Sequence, residues 1–464
     1  MVSSPVAKRS RSEEPTGIPE LGVLFPKVLL PDSAKVDLRK WAVVACDQYT
    51  SEEDYWKRVE DLVGESPSTL RLTFPEVYLD KGKDDEIISG INAAMKTYEA
   101  EGYFKETPNH GVVVVERTLR SGVLRKGIVL ALDLERYSFK ADSGSLIRAT
   151  EKTIEARIPP RLKVRHDARM ELPHIIVLID DAEDKVISSL ADFCDDQTCV
   201  YETELMENSG YLKGFFIDSP LALAKLTSAL HAIADPAAFK QQYGDAPQMV
   251  FAMGDGNHSL ATAKTLWERT KSEAADLDEL LLTSPARYAL VELQNCQDPT
   301  LVFEPIHRLI TEVAGGAGQF LTDVKSFFDA RGEGPVEVCE GEDEYLDVLA
   351  DAATGHSVGF VLEGKKGVIT IPHAKKVLPV ASLTDFIDSW LAERDAKIDY
   401  VHETTAIDRF CVSGEAGNIG IVFSSMPKSD LFKTVVTDGA LPRKTFSMGN
   451  AHDKRFYFEA RYIQ

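Results

Sequence analysis

The chain has 464 residues, of which 44% are hydrophobic, 8% aromatic and 27% charged. These are values of an ordinary globular protein with about two to four structural units. Against 52 Lys and Arg stand 74 Asp and Glu, a formal net charge of −22. Such a surface excludes wholesale binding to nucleic acid or an anionic membrane, but not a small anion held in a local positive field.

Residues 1–16 are rich in Ser, Pro and charge and are expected to form a disordered tail. Met1–Gly17 lacks the apolar core of a secretory signal, and no later run approaches the ~20 apolar residues of a membrane helix. Cys46, Cys194, Cys199, Cys296, Cys339 and Cys411 are scattered and read as reduced thiols, with no spacing for a structural zinc site. The expected location is cytoplasmic. The short basic patch Lys8–Arg11 makes nuclear entry the lesser alternative.

Ala42–Cys46 reads as a buried strand from its apolar run. Thr50 and Glu53 have capping-box spacing, and Tyr55, Trp56, Val59, Leu62 and Val63 give a helix over 51–63 that Gly64 ends. A second helix is expected over 87–101, then strands over 112–117 and 123–134 joined by a turn at Ser121-Gly122. Leu146–Ala156 looks helical, with Pro159-Pro160 as its break. Strands follow over 175–179, 211–217, 249–253 and 288–293, and helices over 219–234 and 259–269. Gly315–Gly318 is a flexible break. Beyond it, 340–349 is acidic, 358–362 and 367–371 pair as strands, 383–392 is a helix and 420–423 a strand. The fold class is α/β, mixed with α+β: mixed sheets with flanking helices and a nucleotide-binding strand–turn–helix over 249–269. Its expected division is a tail over 1–16, a main α/β domain over 17–312 and a C-terminal α+β subdomain over 319–464 packed on the first.

The segment with most chemistry is Phe251–Leu260, FAMGDGNHSL. A buried strand meets a turn of Gly254, Asp255, Gly256 and Asn257, and a helix begins at once. Glycines permit close backbone approach, and a helix N-terminus offers free N–H groups and partial positive charge to a phosphate. Asp255 could hold a divalent cation or accept a proton, and His258 could meet a phosphate oxygen or serve as acid and base. Turn chemistry with Asn257 or Ser259 as cap explains the same residues without a ligand.

Arg148–Arg169 holds seven basic residues against three acidic ones. Its guanidiniums, Arg148, Arg157 and Arg161 foremost, suit phosphate through bidentate hydrogen bonds. A solvated helix face with pairs four apart accounts for part of the run. Asp47 and Gln48 lie past a strand end, Arg287 stands at a strand entrance, and Asp399 and His402 are three apart. These are candidates to stand behind the main site, although turn and surface chemistry explains each. Glu304 and His307-Arg308 read as one turn of a helix, and the basic run from Pro442 to Gly449, with Lys454, Arg455 and Arg461, adds positive field or frames a final strand.

The chain resembles the DUF1015 family, a family of unknown function, from about residue 25 to the end. The words that carry the likeness are WAVVACDQYTSEEDYW (41–56), PSTLRLTFPEVYL (67–79), IRATEKTIEARIPPR (147–161), ELPHIIVLIDD (171–181), GDGNHSLATAK (254–264), PARYALVEL (285–293), FEPIHR (303–308) and RKTFSMGNAHDKRFYFEAR (443–461). GDGNHSLATAK also looks like the nucleotide-phosphate box of the ParB/sulfiredoxin-like superfamily, which includes CTP-hydrolysing switches and kinases acting on free serine. Asp255, Gly256 and His258 match that box, whereas Asn257 and Ser259 replace a His and an Arg.

The resulting expectation is a kinase-like phosphotransferase acting on a small hydroxylated or phosphorylated metabolite, free serine among them. Asp255 and His258 would be catalytic, and Gly254, Gly256, Asn257, Ser259, Arg148, Arg157 and Arg161 would hold ATP or ADP. Mg²⁺ would sit at Asp255. A nucleotide switch and a metal-dependent hydrolase using Asp255, His258 and His402 are the alternatives, and neither nucleic acid nor membrane is expected as a partner.

Overall fold

A computed structural model describes residues 17–140, 143–314, 316–341, 355–411 and 417–464. The expected tail, Gly315 of the glycine break and most of the acidic stretch 340–349 lie outside these residues.

Runs of β-branched residues build the centre. Val112–Thr118 and Leu124–Asp133 send alternate side chains to opposite faces of an extended backbone. Val113, Val115, Val129 and Leu290 enter one core, whereas Val112, Val114, Ile128, Leu130 and Val291 enter another. The result is a mixed sheet of eleven strands covered on both faces. Its main order is Cys199–Glu204, Tyr211–Ile217, Val112–Thr118, Leu124–Asp133, Tyr288–Asn295, Ile176–Ile179, Phe251–Asp255, Ile147–Arg148 and Tyr137–Ser138. Neighbours along it are antiparallel except that Ile176–Ile179 runs parallel to Tyr288–Asn295, and Ile147–Arg148 runs parallel to both its partners. The fold is therefore α/β with mixed strand directions.

A second, antiparallel sheet of six strands takes residues from His307–Thr311 to Ile419–Val422. Phe320, Phe328, Phe386 and Trp390, from the helices Phe320–Ala330 and Pro379–Ala392, fill its core, which is continuous with Ile176, Leu178 and Ala252 of the large sheet. The chain then returns. Phe456, Tyr457 and Phe458 pack with Trp41 and Trp56, and Arg461–Tyr462 pairs with Met170–Glu171. Thus His307–Thr311 already belongs to the second sheet, and the last residues belong to the core of the first. No helix of the described residues is long and apolar enough to cross a membrane.

Several elements differ from the sequence expectation. Ala42–Ala45 is buried but forms only a single bridge, Val44 to Phe456, because its backbone partner is the returning chain end rather than a sheet. Thr50 does not cap: the helix Glu53–Val63 starts after Glu52 without a side-chain cap. The expected helix over 146–156 is instead the strand Ile147–Arg148 and a short 3-10 turn, Glu155–Arg157. The helix here is Ile158–His166, which Pro159-Pro160 opens rather than breaks, since first-turn N–H groups have no intrahelical acceptor to lose. Glu304 and His307-Arg308 lie on two strands, Phe303–Pro305 and His307–Thr311.

Candidate functional site

The strand Phe251–Asp255 ends at Gly256, whose φ of 79° lies in the left-handed region, and the helix Asn257–Glu273 starts at the next residue. The strand thus runs two residues further, and the helix starts two residues earlier, than the sequence suggests. Antiparallel pairing with Ile176–Ile179 is irregular between Ile176 and Val177, and this brings Ile175 against the turn. A Cβ at Gly256 would stand 3.0 Å from the Ile175 Cα. Leu260, Ala263 and Trp267 bury the inner face of the helix. No side chain caps its start. The N–H groups of Asn257, His258 and Ser259 thus precede any intrahelical acceptor and point out of the helix. The Asn257 Oδ1 beside them is buried without a hydrogen-bond partner.

Charged groups surround this start. Asp255 accepts the Gly256 N–H at 2.9 Å through Oδ1 and pairs with Lys454 Nζ at 2.9 Å through Oδ2. Burial raises the Glu151 carboxyl, and Lys444 opposes that rise. His258 Nε2 accepts the Ile154 N–H at 3.3 Å. Burial, then the guanidiniums of Arg161 and Arg157, lower the His258 imidazole to about 4, so it is neutral at pH 7. With Nε2 accepting, the proton is assigned to Nδ1, which becomes a donor at the helix start. Arg161 pairs with Glu76 and donates to the Arg157 carbonyl at 2.8 Å. Burial raises the Glu76 carboxyl despite that partner.

A second cluster meets the helix at Ser259. His174 Nε2 lies 3.3 Å from Ser259 Oγ and 3.3 Å from Asp47 Oδ2, and its Nδ1 lies 2.8 Å from the Tyr457 hydroxyl. Burial opposes a charge on His174, but Asp47 and Cys46 together outweigh it and raise the imidazole above its usual range. Burial likewise resists ionisation of Asp47, which His174 and a hydrogen bond from Gln48 at 2.8 Å hold below the ordinary carboxylate range. The Tyr457 hydroxyl accepts the Cys46 N–H at 3.0 Å. Next to this cluster lies a cavity of about 150 Å³ between the 158–166 and 257–273 helices and the 72–79 segment.

The structure therefore gathers Asp255, Gly256, Asn257, His258 and Ser259 with Arg157 and Arg161, and brings Asp47 and Gln48 in through His174. Gly254 fits closely between Leu178 and Met448. His402 lies at the surface; partial burial of its ring, then Lys444, lowers its imidazole against the opposing Glu304. Arg148 is not brought in. Its guanidinium is spent on the carbonyls of Ser145, Pro247 and Gln248, towards the opposite end of the strand from Asp255. Arg287 pairs with Asp133 at 2.6 Å and bonds the Leu281 carbonyl, a contact that braces the strand entrance. Among the described residues no group of three or more His, Cys, Asp or Glu is placed to hold a metal by itself. His174, Tyr457, Glu76 and Glu151 were not singled out from the sequence. The available signal was His174 directly before an all-apolar strand; Tyr457 becomes visible only once the chain end is seen to return.

Comparison with solved structures gives distant likenesses. A free serine kinase in complex with AMP matches with a TM-score of 0.37 at 9% identity, covering 72% of this chain and 91% of that one. A conserved hypothetical protein from Pyrococcus furiosus matches with a TM-score of 0.35 at 9% identity, over 72% and 95%. SbnI from Staphylococcus aureus, with a C-terminal truncation, matches with a TM-score of 0.35 at 6% identity, over 71% and 85%. No curated protein matches the chain. The family model described as "Protein of unknown function (DUF1015)" matches residues 27–389, which include the GDGNHS turn, His174 and both arginines but not the returning end with Lys454 and Tyr457, and the chain belongs to that family.

Proposed function

We propose that the protein is a nucleotide-dependent phosphotransferase acting on a small hydroxylated molecule. The observation that carries the reading is the uncapped start of the Asn257–Glu273 helix, with Arg157, Arg161 and a neutral His258 set around it. Phosphate oxygens placed there would take the N–H groups of 257–259, the His258 Nδ1–H and a guanidinium. The helix dipole adds to that field. ATP or ADP is the proposed cofactor, with Mg²⁺ held by Asp255 through displacement of the Lys454 ammonium and by the nucleotide's own oxygens. Mg²⁺ would neutralise charge on the transferring group; the protein's part is to position the reactants and supply fixed positive charge. Lys454, Lys444 and Arg161 are the cations available for that purpose.

Calorimetric titration of the full chain with ATP, ADP and CTP, with and without Mg²⁺, tests the reading. Binding of ATP and ADP, and loss of product formation in Asp255→Ala and His258→Ala with the fold retained, are expected. Absence of nucleotide binding by the wild type overturns it. So does full turnover in either variant.

A further inference from the structure

The 150 Å³ cavity beside the helix start has a two-part lining. Leu72, Phe74, Leu79, Met95, Val164 and Met170 form apolar walls. The polar groups are His174, Ser259, Tyr457, Thr73 and Thr262, with the Glu76–Arg161 and Arg165–Glu171 pairs. The first three form one cluster. His174 joins Ser259 and Tyr457 through contacts of 3.3 and 2.8 Å, and Glu76 feels the charges of both Asp47 and His174. A dry apolar cavity of about this volume is known to accept a benzene-sized guest.

The charges lining the cavity are already matched. Arg161 is paired with Glu76, and Arg165 with Glu171, which also pairs with Arg461. A free amino acid would bring an ammonium and a carboxylate, and each would compete for a charge that is already paired, Arg161 being also the guanidinium proposed for phosphate. An uncharged alcohol needs only a hydroxyl partner, and Ser259 Oγ, one donor with two acceptor lone pairs, supplies one while His174 holds it in place. We infer that this cavity binds an uncharged alcohol with a compact apolar body, with its hydroxyl at Ser259 and its body against Met95 and Val164.

The fate of the hydroxyl rests on the phosphotransferase reading, whereas the binding does not. Under that reading the alcohol oxygen bonds to the γ-phosphorus of ATP as the bond to the β,γ-bridging oxygen breaks. ADP leaves with that electron pair, and the hydroxyl proton passes to solvent. The acceptor is then an apolar-bodied alcohol rather than free serine.

The test uses the full chain with ¹³C-methyl methionine, titrated with benzyl alcohol or L-serine in the absence of nucleotide, and with ADP in a separate titration. Benzyl alcohol is expected to shift the Met95 and Met170 methyl signals saturably, and L-serine to leave them in place. Val164→Phe, which fills the cavity, is expected to weaken the benzyl alcohol effect at least tenfold. Leu79→Phe gives the same reading should Val164→Phe fail to fold. The inference is overturned if benzyl alcohol leaves both methyls unmoved, if the folded filled variant responds like wild type, or if L-serine binds in its place. A benzyl alcohol response without ADP binding supports the cavity and removes the phosphotransferase reading; ADP binding without that response does the reverse.

Discussion

Arg161 is asked to do two things, and they can be separated. Its guanidinium neutralises Glu76 and also faces the helix start near His258. The two side chains are only 17% and 15% exposed, so the pair is mostly buried. Removing one partner of a fully buried pair costs ~3–5 kcal/mol, and the residual exposure here brings the expectation for Arg161→Met to about 2–3 kcal/mol at pH 7. Burial already raises the Glu76 carboxyl, so the stranded group takes up a proton readily and the loss shrinks as pH falls towards 5. The sign for phosphate is the opposite for the two partners. A guanidinium ~5 Å from one phosphate charge, at an effective dielectric of ~20, gives a gross attraction of ~3 kcal/mol. After desolvation and screening, about 1.4–2.8 kcal/mol remains, a factor of about 10–100 in Kd. Arg161→Met should therefore lose both stability and ADP affinity. Glu76→Gln should tighten ADP, because it frees the guanidinium. The double variant should regain stability without regaining affinity. Denaturant unfolding and calorimetric ADP titration read the two quantities. If Arg161→Met and Glu76→Gln both leave the ADP Kd within about twofold of wild type, Arg161 is only a structural ion-pair partner and the reasoning fails.

Other consequences follow from the same contacts. Gly256→Ala imposes a left-handed backbone on a residue with a Cβ, which costs ~1–2 kcal/mol, and drives that Cβ into the Ile175 Cα at 3.0 Å; a total loss of about 2–3 kcal/mol in denaturant unfolding and weaker ADP binding are expected. Arg455 is buried between Glu292, at 2.7 Å, and Glu459, so Arg455→Met should destabilise by about 3–5 kcal/mol, measured the same way, by stranding two carboxylates. The His258 imidazole is lowered to about 4 from an unfolded value of about 6.5, so its contribution is complete above pH 6.5 and fades as pH falls towards 4. Allowing for solvent screening of a partly exposed group, wild type should lose about 1–2 kcal/mol more than His258→Gln between pH 7 and pH 5; parallel pH profiles would contradict the assignment.

The parts of the structure that were legible in the sequence are those fixed by local pattern. Val112–Val115, Ile128–Leu132 and Phe215–Ile217 are unbroken apolar runs inside their strands, and the turn FAMGDGNHSL carries its own stop and start signals. The misreading of Ala42–Cys46 and of the basic run has a long-range cause. Ala42–Cys46 is apolar because the returning Phe456–Phe458 covers it, and nothing local distinguishes that from a sheet strand. The basic run over 148–169 is one stretch of sequence but several structures. Arg148 serves loop carbonyls, Arg161 faces the helix start, and Arg165 and Arg169 pair with Glu171 and Glu99. Charge clustering marks the stretch that holds the Ile158–His166 helix, but the residue pattern places the helix one stretch too early, and the clustering does not say which guanidiniums face which way. His174 and Tyr457, 283 positions apart, meet only because the chain end crosses back to the first core.

The central claim is that a nucleotide's phosphates lie on the uncapped N–H groups that open the Asn257–Glu273 helix. An amide NMR titration of the full chain with ADP and Mg²⁺ tests it most directly. The N–H signals of Asn257, His258 and Ser259 are expected to shift together and saturably, ahead of those further along the helix. No ADP binding, or ADP binding that leaves these three amides unmoved, would contradict the account.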